Sequence, residues 1–145
     1  MKYLPLILAL IFLSAFKQQP EGTLTVNTAG FNNGKGKAVL FLFRKNDGIP
    51  DSPFKTLSAD INDSKASFQF QSLPYGEYAI ILLHDENNNG KIDHSFGMPG
   101  EQLGYSNHWE LGFFTGMPAF SKLKFQFSAT TQTQNINITY KKNKK

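Results

Sequence analysis

The chain has 145 residues, 15 Lys and Arg against 11 Asp and Glu, and no cysteine, which suits one ordinary domain with one core and excludes a disulfide framework. The formal charge of +4 does not describe a basic body: Lys2 precedes an apolar run and Lys141, Lys142, Lys144 and Lys145 crowd the end, leaving the remainder near −1. Arg44 is the single arginine, so the spread of Lys and Arg along one face that nucleic-acid binding requires is missing.

In chain order, Met1-Lys2-Tyr3 leads into an apolar stretch that turns polar at Lys17-Gln18-Gln19. That layout predicts a signal peptide over residues 1–16. The apolar stretch is about a dozen residues, too short for the roughly 20 that cross a bilayer as a helix, so no stable span is expected after cleavage. The expectation is an exported protein, periplasmic or secreted, with a frayed, solubilising tail at 141–145.

Residues 17–140 read as a single all-β domain, because period-two alternation and turn residues dominate and no sustained helical period occurs. Candidate strands run 23–29, 37–44, 56–61, 65–71, 77–83, 123–129 and 135–140, a set that predicts a seven-stranded antiparallel, Ig-like or prealbumin-like sandwich. Hairpins are expected at Asn32-Asn33-Gly34-Lys35-Gly36 and at Asn62-Asp63, and a longer loop at 45–54 with Gly48, Pro50 and Pro53. Phe68-Gln69-Phe70-Gln71 and Ile136-Asn137-Ile138 alternate strictly, as half-buried strands do. Residues 38–43 and 79–83 do not alternate, so both their faces need cover. The aromatic-rich segment 94–120, with Phe96, Tyr105, Trp109, Phe113, Phe114 and Phe120, is expected to fold over one sheet.

The series Phe68-x-Phe70-x-x-Leu73-Pro74-x-Gly76-x-Tyr78 resembles the corner of prealbumin-like and collagen-adhesin-B-type sandwich domains, with the Tyr ring packed under the turn. Adding Gly30-Phe31, Gly36, residues 39–43, Gly48-Ile49-Pro50, His84-Asp85-x-Asn87-x-Asn89-Gly90-Lys91-x-Asp93, Gly97-Met98-Pro99 and Gly104-Tyr105-Ser106-Asn107 extends the likeness over nearly the whole mature chain. That longer series is similar to the bacterial exported family named domain of unknown function 2141. The resemblance implies a signal peptide and a sandwich domain, and no established activity.

One loop carries a chemical pattern. From Asp85 to Asp93, oxygen-bearing side chains stand at positions 1, 3, 5 and 9 (Asp85, Asn87, Asn89, Asp93), with Gly90 at position 6 and the carbonyl of Lys91 at position 7. Hard oxygens at this spacing suit calcium. Position 12 is Phe96, no helix pattern flanks the loop, and only Asp85 and Asp93 bring charge unless Glu86 or Glu101 joins, so binding in the extracellular range of about 0.1–1 mM is expected. The alternative is a turn that caps itself with Asn and Asp side chains.

His84, Tyr105, Asn107 and Trp109 are candidates for a ligand surface, for an unknown glycan, peptide or envelope protein. His84, His94 and His108 match no compact metal spacing, and Gly104-Tyr105-Ser106-Asn107-His108 lacks the second Gly and the helix of a nucleophile elbow. The expected function is therefore a non-catalytic binding module with a weak structural calcium loop. A purely structural envelope protein is the second reading and a hydrolase the third.

Overall fold

Two strands with apolar residues at successive positions set the architecture, since neither can sit at an edge or on an open face. The computed structural model describes residues 18–95, 98–112 and 115–139. The segment expected to be a signal peptide, the basic tail, and Phe96, Phe113 and Phe114 lie outside the described residues. Among the described residues there are ten strand segments, eight of them in two main sheets: β1 (Glu21–Ala29), β2 (Lys37–Phe43), β3 (Lys55–Ala59), β4 (Lys65–Pro74), β5 (Gly76–Asp85), β6 (His94–Ser95), β7 (Met98–Pro99), β8 (Gln102–Tyr105), β9 (Phe125–Phe127) and β10 (Thr133–Asn137). A one-turn helix, α1 (Phe120–Leu123), precedes β9. Among the described residues no helix is long and apolar enough to cross a membrane.

The smaller sheet has the order β10-β1-β4 and the larger β3-β2-β5-β8, with β9 also on β5, while β6 and β7 form a short ladder of their own. The main core lies between the two sheets. Leu24, Val26, Phe68, Phe70 and Ile136 meet Leu40, Leu42, Ile80 and Leu82 there, with Phe127 closing one end. The alternation does what its period demands: Phe68 and Phe70 are buried while Gln69 and Gln71 are exposed.

The outer faces of β2 and β5 are covered as their sequence requires. Val39, Phe41, Phe43, Ala79, Ile81 and Leu83 form a second apolar cluster with Leu103, Tyr105 and Leu123, and Ile92, Trp109, Leu111, Met117 and Phe120 pack against it. The aromatic segment is thus a lid over one sheet. Both its ends are fixed to β5, where β8 pairs residues 81–84 and β9 pairs residues 76–78. Between them Ser106, 1% exposed, accepts the Ile80 N–H (2.9 Å) and donates to the Leu123 carbonyl (2.6 Å). The hydroxyl that stands in an elbow-like sequence is consumed in holding backbone together.

Several expectations need correction. The sandwich is not purely antiparallel, because β10 runs parallel to β1, Thr25 facing Thr133 and Ala29 facing Asn137. The residues at 30–36 and 60–64 are not hairpins within a sheet: β1 and β2, and likewise β3 and β4, belong to different sheets. Asp63 and Ser64 do take positive φ inside a tight Asn62–Lys65 bridge, but that bridge turns a corner between layers. The strand expected over 123–129 shrinks to Phe125–Phe127, because α1 closes with the Lys124 N–H on the Phe120 carbonyl (2.9 Å) and drops Leu123 into the outer cluster. At the Leu73-Pro74 corner, Tyr78 does lie under the turn, buried and donating to the Pro74 carbonyl (2.8 Å). The last strand ends at Asn137, after which Ile138 N–H still bonds Ala29 and Thr139 N–H reaches Leu103 of β8 (3.1 Å), joining the two sheets. The approach is close enough that a Cβ on Gly104 would press into the Asn137 carbonyl and sit 3.1 Å from Ile136.

Candidate functional site

The loop that follows β5 is organised by its own side chains. Asp85, the last residue of the strand, is 2% exposed, and its carboxylate accepts the N–H of Asn89 (3.1 Å) and of Gly90 (2.7 Å). Asn87 Oδ1 accepts from Asn89 N–H (3.0 Å), and Asn89 Oδ1 from Lys91 N–H (2.8 Å). Asx side chains bonded two residues ahead favour a curled backbone, and the left-handed conformations at Asn88 (φ 60°) and Gly90 (φ 71°) supply the reversal. The result brings the sequence-predicted residues together. The carboxamides of Asn87 and Asn89 both donate to the Asp93 carboxylate, at 2.7, 2.9 and 3.0 Å.

Lys91 contributes backbone only, its side chain being exposed. Among the described residues no three His, Cys, Asp or Glu side chains gather closely enough to hold a metal ion, so any cation here would rest on Asp85 and Asp93 with carboxamide and carbonyl oxygens.

The loop is seated on Glu101 and on the 31–36 crossing. Glu101 Oε2 accepts the Asp93 N–H (3.4 Å), and the Gly100 N–H bonds the Asp93 carbonyl (2.6 Å). Burial pushes the Glu101 carboxyl above its ordinary range, and the charges of Asp93 and Asp85 act in the same direction; hydrogen bonds from the backbone of Asp93 and Glu86 oppose them. Its other oxygen, Oε1, is buried with no hydrogen-bond partner among the described residues. Glu86 instead faces the crossing, accepting from Asn33 (3.4 Å).

The four residues expected to form a ligand surface differ in exposure, and only Tyr105 and Trp109 are in ring contact with each other. His84 is fully enclosed, its Nε2 2.9 Å from the Lys35 carbonyl and its ring edge-on to Phe31 (5.3 Å), so it belongs to the interior under the crossing. Alternation on β5 puts it on the inner face with Ile80 and Leu82, at the end of the core that Phe31 and the 31–36 segment close. Tyr105 is 6% exposed and Trp109 half-buried, the two rings meeting edge to face at 4.7 Å. Asn107 is exposed and donates to the Lys122 carbonyl (3.0 Å), pinning the lid.

Sequence reasoning did not find the cavity beside β8. It has a volume of about 230 Å³ and is walled by Glu101, Leu103, Tyr105, Leu111 and Thr139. The Tyr105 hydroxyl is buried without a hydrogen-bond partner among the described residues, and burial pushes that phenol well above its usual range. A buried unpaired hydroxyl destabilises by roughly 1–3 kcal/mol, and removing it without changing shape is close to neutral or better. Tyr105→Phe should therefore leave the melting temperature unchanged or raise it, by up to about 1 kcal/mol in stability, read from thermal melts of the two proteins. A fall of several degrees would mean that the hydroxyl has a partner.

No curated protein and no solved structure matches this chain. The family model described as an uncharacterized protein conserved in bacteria, domain of unknown function 2141, matches residues 26–135, from β1 to β10 and through the loop, the lid and β8, and the chain belongs to that family.

Proposed function

We propose that this is an exported, non-catalytic binding module of prealbumin-like descent whose loop from Asp85 to Asp93 takes one calcium ion weakly and for structural purposes. The observation that carries the calcium reading is the convergence of Asn87 and Asn89 on the Asp93 carboxylate while Asp85 is held by the N–H groups of Asn89 and Gly90. Asn87, Asn89 and Asp93 thereby meet, and Asp85 is tied to the same stretch through the backbone of Asn89 and Gly90. A cation at that place would replace the amide hydrogens now set against Asp93. Its role would be to stiffen the connection between β5 and the lid. Export rests on the leader-like residues 1–16. A binding role, toward a glycan, peptide or envelope protein, rests on the aromatic lid with Trp109 at its rim.

The test is thermal. With a dissociation constant in the range expected of extracellular modules, about ten times that concentration of calcium stabilises by roughly 1.4 kcal/mol. That corresponds to a rise of about 5 °C in a domain of this size. Melts of the mature protein in 5–10 mM calcium (about ten times the expected constant), in the same concentration of magnesium and in chelator should show the rise in calcium alone. Asp93→Asn, which removes one charge and keeps an acceptor, should abolish it. Identical melts in calcium and chelator would refute the metal and leave a self-capped loop.

A further inference from the structure

We infer that the outer face of the smaller sheet binds a neutral oligosaccharide through the row Asn135, Asn27 and Ser67. The register places these three side by side, one from each strand of the order β10-β1-β4, and all three are exposed. They form one chain of hydrogen bonds. The Ser67 hydroxyl donates to Asn27 Oδ1 (3.1 Å), and Asn27 Nδ2 donates to Asn135 Oδ1 (3.4 Å). A primary carboxamide carries two donor hydrogens and an acceptor, and a hydroxyl accepts as well as donates. The chain therefore sets both carboxamides in direction while leaving the Asn135 hydrogens, one Asn27 hydrogen and the Ser67 lone pairs for a ligand. A groove of about 780 Å³ is lined by this row, within the roughly 300–1,000 Å³ usual for small-molecule sites. In the next row Ala29, the shortest side chain, stands between Asn137 and Lys65 and lowers the floor.

The chemistry of the groove selects the class. Among the described residues no aromatic side chain and no apolar one larger than alanine lines it, so a protein partner finds none of the aromatic, Met or Arg anchors that carry such interfaces. An acyl chain finds no cover. The two charged residues, Lys65 and Asp60, are exposed and of opposite sign, and Asp60 is already paired with Lys37 (2.9 Å). A polyanion would meet as much repulsion as attraction. On the other side of the carboxamide row, Thr133, Thr25 and Gln69 continue the uncharged hydrogen-bonding surface, whereas about a quarter of the residues of an average domain are charged. A sugar ring offers the matching chemistry: adjacent hydroxyls, each donor and acceptor, which one carboxamide can engage with its own donor and acceptor. This face lies across the sandwich from the aromatic lid on which the binding role above rests, so the two readings can fail separately.

The probes are cellotetraose, maltotetraose and N-acetylchitotetraose, with tetragalacturonic acid as the anionic counterpart, titrated into the mature protein in chelator and followed by two-dimensional NMR. At least one neutral probe should saturate with a dissociation constant of about 1 mM or tighter, and its affinity should not change when salt is raised tenfold. The side-chain NH₂ signals of Asn27 and Asn135 should move, and the indole signal of Trp109, the single tryptophan, should stay in place. Asn27→Asp combined with Asn135→Asp keeps the shape of two exposed side chains and removes their donors. It should weaken binding at least tenfold, with signals away from the face reporting an intact fold. No saturation by any neutral probe, or tighter binding of the anionic one, overturns the proposal on the wild-type protein alone. Binding that survives the double substitution overturns it as well. Shifts confined to Trp109 and its neighbours also overturn it, and assign the sugar to the lid instead.

Discussion

Replacing Gly36 by alanine should destabilise the protein by more than about 3 kcal/mol, the range in which steric and backbone faults combine. Gly36 has φ +72°, a conformation that alanine adopts only with strain, and a Cβ there would run into the Asp85 carbonyl and lie 2.6 Å from Glu86 Cα. Both obstacles are backbone, one of them the start of the candidate loop, so neither can rotate aside. The chain must move the 31–36 crossing off β5, which also uncovers His84 and separates Phe31 from it. Chemical denaturation is the measurement. A loss below about 1 kcal/mol, the ordinary size for a surface site, would show that the crossing is not pressed against the loop.

Asp85→Ala should be nearly as damaging, by about 2–4 kcal/mol, and should be so in chelator as much as in calcium. The carboxylate accepts two backbone N–H groups from a 2% exposed position, and hydrogen bonds to charged groups contribute roughly 1.5–3 kcal/mol each before the loop relaxes and exposes its freed donors to water. Denaturant midpoints of the variant and wild type, both in chelator, decide the matter; coincident midpoints would mean that the Asp85 bonds add nothing. The substitution is consequently a poor probe of calcium, since the loop loses its frame whether or not an ion binds. Asp93→Asn, at the exposed side of the loop, separates the two effects.

Much of the fold could be read from residue patterns because the patterns report burial. The unbroken apolar runs of β2 and β5 demanded central places with both faces covered, and the aromatic segment was the only material long enough to supply the cover. What eluded sequence was pairing. The Asn-Gly and Asn-Asp turns announce a reversal of direction, yet the same turn serves a hairpin or a corner between sheets, and no local residue distinguishes them. The parallel placement of β10 depends on a partner more than a hundred residues distant, and β8 is too short and too Gly-containing to be recognised among loop residues.

For the candidate site, the loop residues were legible because their spacing is local chemistry. Exposure was not: His84, polar and next to a loop, reads as surface until the crossing is placed over it. The cavity was invisible because its walls come from residues 101–111 and from Thr139, brought together only by the final turn of the chain.

That final turn has a consequence for how other proteins meet this one. A sheet that ends in a free strand invites a second chain to add its own strand, through backbone groups that carry no sequence information. Here Thr139 has already taken the Leu103 carbonyl of β8, and the Asn137 carbonyl is pressed against Gly104. On the opposite side of the same sheet β3 is only five residues long and is flanked by the Lys37–Asp60 ion pair. Recruitment by strand addition is blocked along β8.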